Sequence, residues 1–175
     1  FADMTETEFV GAGGSLLTDA SSSPVDDVKV LTIRDAGADD TDGISIIESN
    51  SDSETFADTT FSGFGDLTVR GGTCNQVIIM DTQDAGAAGG ESLTSVLLDG
   101  DNLTNNDISV DTLWVQTSPS GSTTTLLGGQ GNDNFWIYDP GDVSTPEAAS
   151  DGTDDTVDGI GGTVIVSPLG DDEVP

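Results

Sequence analysis

Residues Gly128-Gly-Gln-Gly-Asn-Asp-Asn-Phe-Trp136 decide how this chain is read, because they join a turn, an oxygen ligand and the start of a strand. The glycines permit backbone conformations closed to other residues and let carbonyls approach a cation closely. Asp133 supplies a hard carboxylate oxygen of the kind calcium prefers. Phe135 is expected to point inward as the chain extends, which turns Trp136 to the opposite face. The same turn has a plainer use, in which Asp133 caps the backbone amides of its own loop.

Around this segment the chain is strongly acidic, with 33 acidic and 3 basic side chains in 175 residues and a net charge of −30. Of the acids 26 are Asp and 7 are Glu. A solubilising surface or a helical protein would use Glu freely, whereas Asp suits turns and cation loops. Adaptation to high salt is the competing cause of such acidity. The sign of the charge excludes partners. Lys29, Arg34 and Arg70 are the only cations, too few to track a phosphate backbone, so nucleic acid is not an expected partner. Anionic membrane surfaces are disfavoured for the same reason, and no apolar run is long enough for a membrane span.

The length allows one domain with a real core. Its apolar residues fall in short runs, Val28 to Arg34, Ile44 to Glu48, Asp66 to Arg70, Gln76 to Asp81, Leu93 to Leu98, Ile108 to Gln116, Thr123 to Leu127, Asn134 to Tyr138 and Thr163 to Ser167. Gly, Asp, Asn and Ser separate them, and no run repeats at helical spacing, so the class is all-β. Residues 1–25 read as a loose lead-in or a first edge strand, and 26–175 as a single domain. The absence of Asn-Gly turns argues against tight hairpins. The favoured architecture is therefore a right-handed parallel β-solenoid of the β-helix or β-roll kind with long acidic loops, and an antiparallel β-sandwich is the alternative. With coils of roughly 20 residues it would make about eight or nine rungs. The loop 139–158, with Pro140, Pro146 and many acids, is expected to protrude.

Gly128 to Trp136 fits the nonapeptide G-G-x-G-x-D-x-U-x, U being a large apolar residue, and so resembles the calcium-binding β-roll repeats of RTX-type secreted proteins. The following order, Asn132 to Asp142, an acidic insert and then Val157 to Val166, is similar to giant extracellular Gly-Asp-rich repeat proteins. The resemblance implies calcium held by Asp133 and by the backbone carbonyls of Gly128, Gln130 and Gly131. It also implies an ion shared between neighbouring stacked loops. Since only one full copy is present, a degenerate partner is needed, from Leu169 to Val174, Asp99 to Asn102 or Asp39 to Gly43. Asp171 and Asp172 fit a second loop less closely, because its first two glycines are missing.

Other residues carry weaker signals. Trp114 and Trp136 could stack on a sugar ring, although packing on strand faces is the favoured account of both. Cys74, the only cysteine, reads as a small buried hydrophobe, and with no histidine in the chain neither a Ser-His pair nor an imidazole metal site exists. Arg70 beside Gly71-Gly72 is the one position where an acidic polysaccharide could meet a cation. The chain begins at Phe1 without methionine and lacks a basic region followed by an apolar stretch, which reads as a mature or excised segment of a secreted protein and not as an intact precursor. The expected role is a non-enzymatic, extracellular calcium-binding segment serving structure, assembly or adhesion. Its partners would be Ca²⁺ and further copies in a head-to-tail homo-oligomer or filament. The alternative role is a carbohydrate-binding or carbohydrate-active module facing a glycan surface.

Overall fold

Each short run rich in Val, Ile, Leu and Thr becomes a strand, and each Gly, Asp or Ser cluster beside it a turn, as β propensity and turn chemistry dictate. The computed structural model describes residues 6–10, 14–19, 30–36, 43–49, 58–71, 75–81, 93–100, 109–137 and 160–167. Within them lie twelve strands and no helix. They are β1 (Glu6–Val10), β2 (Ser15–Asp19), β3 (Val30–Asp35), β4 (Ser45–Ser49), β5 (Asp58–Ser62) and β6 (Asp66–Arg70). β7 (Val77–Met80), β8 (Ser95–Asp99), β9 (Thr112–Val115), β10 (Thr123–Leu127), β11 (Asn134–Ile137) and β12 (Thr163–Ser167) complete the set.

The strands form two sheets, a first of seven in the order β1-β5-β4-β3-β7-β9-β11 and a second of five in the order β12-β10-β8-β6-β2. From β6 onward the chain changes sheet at every strand, and from β8 onward each strand lies parallel beside the one two before it. Among the described residues antiparallel pairing occurs only at β3–β4 and β4–β5. The structure is thus all-β with two mostly parallel sheets. Of residues 1–25 the described parts hold β1 and β2, which stand at the ends of the strand orders of the two sheets.

The parallel register brings like beside like. In the second sheet Leu67, Val96, Thr124 and Val164 form one inward column, and Val69, Leu98, Leu126 and Val166 the next. Facing them in the first sheet are Leu31, Ile78, Leu113 and Phe135, then Ile33, Met80, Val115 and Ile137. These columns meet in one apolar cluster, where each fully buried aliphatic side chain is worth about 1.5–3 kcal/mol. Thr124 fits because its hydroxyl reaches the Met80 Sδ at 3.9 Å.

The two ends of the core differ. Where β4 and β5 extend the first sheet, Ile47 and Phe61 are fully buried and close it. At the β11–β12 end Phe135, Ile137 and Val164 are only partly buried, and Val166 is 40 % exposed. The vertical step is also uneven. Stacked positions are 29 residues apart at Arg70 and Asp99, 35 at Gln76 and Asp111, and 22 at Asp111 and Asp133. With connections of such uneven length, the described residues place five strands in the second sheet. The expected protruding loop 139–158 and Cys74 lie outside the described residues.

Candidate metal centre

Three connections from the second sheet to the first stack on one edge of the molecule. Each leaves its strand through a glycine (Gly71, Gly100 or Gly128) and enters the next strand through a polar residue (Gln76, Asp111 or Asp133). The glycines are stacked by backbone bonds, Gly71 N–H donating to the Asp99 carbonyl at 2.7 Å and Gly100 N–H to the Leu127 carbonyl at 2.9 Å. The polar residues are stacked by their side chains. Gln76 N–H donates to Asp111 Oδ1 at 2.7 Å, and Asp111 N–H donates to Asp133 Oδ1 at 3.0 Å. Asn75 Oδ1 accepts from Val110 N–H at 2.9 Å in the same manner.

This ladder explains why these residues stand where they do. A β-carbon on Gly100 would come within 2.9 Å of the Asp111 carboxylate, and one on Gly128 would collide with Oδ2 of Asp133. Gly131 has φ +145° and lies against the Ser109 carbonyl, which would strike any side chain there. Asp111 is fully buried, with Oδ2 accepting from the Ser109 hydroxyl at 3.0 Å. Asp133 is half-buried. Desolvation raises its pKa above the ordinary carboxylate value, and the Asp111 N–H bond opposes that shift.

Of the residues expected to hold calcium, Gly128, Gln130, Gly131 and Asp133 share this turn. The neighbouring turn on one side begins at Asp99-Gly100 and returns at Ser109 to Asp111, so of the proposed stacking partners Asp99 to Asn102 is the one whose described part adjoins it. Gly43, the described end of Asp39 to Gly43, belongs to the β3–β4 connection, and β3 is separated from β9 by β7. On the other side Gly128 N–H donates to the Ser167 carbonyl at 3.3 Å. Asp171 and Asp172 lie beyond it, outside the described residues. Asp133 caps the amide of the adjacent turn rather than one in its own.

Asp111 went unnoticed in the sequence, although a signal was present. Asp111-Thr-Leu-Trp-Val115 and Asp133-Asn-Phe-Trp-Ile137 share one pattern, and their last four residues pair in register. Among the described residues no three acidic or thiol side chains converge closely enough to hold an ion alone. Calcium takes 6–8 oxygens. The donor set fits it in part. Asp111 already accepts on both oxygens, and Oδ2 of Asp133 with the turn's carbonyls would be what the protein adds.

The opposite edge stacks turns with different chemistry. Gly161 N–H donates to the Ser118 carbonyl at 3.1 Å, Gly162 N–H to Ser118 Oγ at 3.1 Å, and Thr163 N–H to the Ser122 carbonyl at 2.9 Å. Thr94 N–H reaches the Gly65 carbonyl at 2.7 Å, and Thr123 N–H the Thr94 carbonyl at 3.0 Å. Asp81 stands at this edge too, but its backbone carbonyl takes the Thr117 hydroxyl, at 2.7 Å.

The remaining candidates separate clearly. Trp114 is fully buried and so has no face for a sugar, while its register partner Trp136 is 37 % exposed. Arg70 is occupied between two strands, donating to Asp99 at 3.0 Å with Asp19 at 3.7 Å. It ties three neighbouring strands instead of facing a polyanion. Compared with protein-family models, with curated proteins and with solved structures, the chain finds no match in any of the three.

Proposed function

We propose that this chain is a structural module, a parallel β-solenoid whose acidic edge takes up calcium and whose role is assembly or adhesion outside the cell. The alternation of strands between two sheets supports a coil, because each pair of successive strands adds one layer to both sheets. The resemblance of Gly128 to Trp136 to calcium-loop repeats supports the ion.

One contrast carries the proposal. The Ser118–Ser122 edge stacks its turns with hydroxyls and carbonyls, so stacking as such does not need carboxylates. The other edge places Asp111 and Asp133 in the same role, at the cost of desolvating them. A cation offsets that cost, and it would hold successive turns together by neutralising charges that otherwise repel.

Calorimetric titration of the chelator-treated chain with calcium tests this, with circular dichroism followed in parallel. Saturable heat and a gain of β signal are expected at low salt. Asp133→Asn should weaken binding clearly more than Asp66→Asn, which changes an exposed acid. Equal effects at the two positions, or equal recovery of the fold in molar sodium chloride, would assign the acidity to high-salt adaptation.

A further inference from the structure

The two sheets present unlike outer faces. On the first sheet Ile79 and Trp114 alternate with core residues of their strands and so point outward, yet both are buried. On the second sheet the outward side chains stay accessible. One column of them runs Leu17, Thr68, Leu97, Thr125 and Ile165 across β2, β6, β8, β10 and β12, and a second runs Ser15, Asp66, Ser95, Thr123 and Thr163. All ten are exposed or half-buried, Leu17 at 56 % and Ile165 at 48 %. Asp66 is the only charge among them, in a chain of net charge −30. A third column, Asp19, Arg70, Asp99, Leu127 and Ser167, carries the Arg70 ion pairs. Scattered apolar residues on a surface need no account, but here they recur on alternate strands of one flat face.

The placement of charge selects the occupant. A second copy laid face to face about a two-fold axis across the strands would meet each strand with its own counterpart, running the other way. The central column then faces itself, Leu97 on Leu97, and the two flanking columns exchange. Asp66 of each copy faces Arg70 of the other, while Asp19 and Asp99 face Ser15 and Ser95. No like charges are opposed. An axis along the strands would instead set Asp99 on Asp99 and Asp66 on Thr123. Complementary charge fixes register, so the first arrangement is preferred. Packed sheets are rotated by about 30°, and β6 adjoins the central β8, so the facing of Asp66 and Arg70 survives the rotation.

We propose that two copies of this chain dock the outer faces of their second sheets, strand over antiparallel strand, with Asp66 of each on Arg70 of the other. The proposal needs only the second sheet and does not depend on a bound ion. Five strands spaced ~4.8 Å apart, each five residues long at ~3.3 Å per residue, cover about 400 Å² per copy. That is about half of what a standard interface takes from each partner. The dimer is therefore weak, and it forms at roughly millimolar protein once salt screens the two acidic bodies.

Sedimentation of the folded chain in calcium, at about 0.15 M salt where screening acts within ~8 Å, tests it. Asp66→Lys makes the chain less negative by two charges, so general repulsion falls. Association should nevertheless drop tenfold or more, because the new cation faces Arg70. Asp66 begins β6 at the Ser118–Ser122 edge, away from Asp133, so the change leaves the calcium turn alone. Asp151→Lys, the same change in charge between β11 and β12 in sequence, should not weaken association. Leu97→Lys should abolish it while keeping the β spectrum. Thr68→Cys and Thr125→Cys chains, mixed and treated with a short bis-maleimide, should give 68–68 and 125–125 links in excess of 68–125 links, with peptide mapping setting aside any at Cys74. Dominant 68–125 links would replace this arrangement by the one with its axis along the strands. Equal association of the parent and Asp66→Lys would overturn the facing of Asp66 and Arg70, and a folded parent that stays monomeric at millimolar concentration would rule the dimer out. Retention of that monomer on an insoluble polysaccharide, lost in Leu97→Lys, would give the face to a glycan instead.

Discussion

The two edges of this molecule solve one problem with different chemistry. On both, turns of successive layers must satisfy each other's backbone amides. The Ser118–Ser122 edge does so with hydroxyls and carbonyls, groups that carry no charge and tolerate burial once bonded. The Gly128–Asp133 edge does so with Asp111 and Asp133 side chains. A carboxylate is a stronger acceptor than a carbonyl, but burying it costs far more if its charge is not balanced. On the proposed reading the neutral edge is stable on its own terms, and the acidic edge depends on what the solution supplies.

The largest consequence is a divided response to chelation. At low salt, removal of divalent ions should lower hydrogen-exchange protection at Gln76, Asp111 and Asn134 by about a hundredfold or more. Protection at Gly161, Gly162 and Thr163 should fall much less. A uniform loss along both edges would mean that repulsion over the whole surface, and not a bound ion, governs stability.

Next in size is the removal of the ladder's buried member. Asp111→Ala leaves Gln76 N–H and the Ser109 hydroxyl without their acceptor, at a cost of about 3–4 kcal/mol in urea unfolding. Asp111→Asn keeps an acceptor for Gln76 and should recover part of it. Ser118→Ala on the neutral edge removes only the bond from Gly162, worth about 1 kcal/mol. Equal costs for Asp111→Ala and Ser118→Ala would erase the difference between the edges.

Glycines give a third, smaller contrast. Gly131→Ala drives a methyl group into the Ser109 carbonyl at a positive φ and should cost about 2–3 kcal/mol. Gly121 also has positive φ, +77°, but open space around it, so Gly121→Ala should cost nearer 1 kcal/mol. Melting temperatures of the two variants rank them.

How much of this was legible beforehand follows from which residues carried the information. Asp66–Arg70, Thr123–Leu127 and Thr163–Ser167 form strands over the ranges read from sequence, because each is a compact run bounded by Gly, Asp or Pro. β5 was missed. Asp58-Thr-Thr-Phe-Ser62 has one large apolar residue, and its Thr59 and Thr60 become buried only through neighbouring strands. The β3–β4 antiparallel pair was missed for another reason: Asn-Gly was sought as the mark of a tight hairpin, while β3 and β4 are joined by a longer connection, from Asp35 to Ser45. At the candidate site the complete nonapeptide exposed Asp133. Asp111 was hidden because its turn carries an insert, 11 positions from Gly100 against 5 from Gly128 to Asp133, so the spacing failed although the strand pattern held. Stacking across layers is a property of three-dimensional register, and a linear consensus finds only its unbroken copies.

The smallest expected effect tests whether Asp133 is truly held at a charged edge. Burial raises its pKa above the ordinary carboxylate value, and the Asp111 N–H bond offsets that only in part. Without calcium, protonated Asp133 is therefore favoured in the folded chain. Its contribution to stability is fully present below the ordinary value and is lost as pH rises through the raised one. The informative quantity is the difference between the parent and Asp133→Asn. In chelator that difference should shrink on acidification toward the ordinary carboxylate value, as the parent loses the penalty that the variant never had. In calcium the sign reverses, because the ion needs the ionised carboxylate and its stabilising effect grows with pH across the same window. Parallel curves for parent and variant in both conditions would show that Asp133 titrates as a solvent-exposed acid. The Gly128–Asp133 edge would then differ from the Ser118–Ser122 edge in composition but not in function.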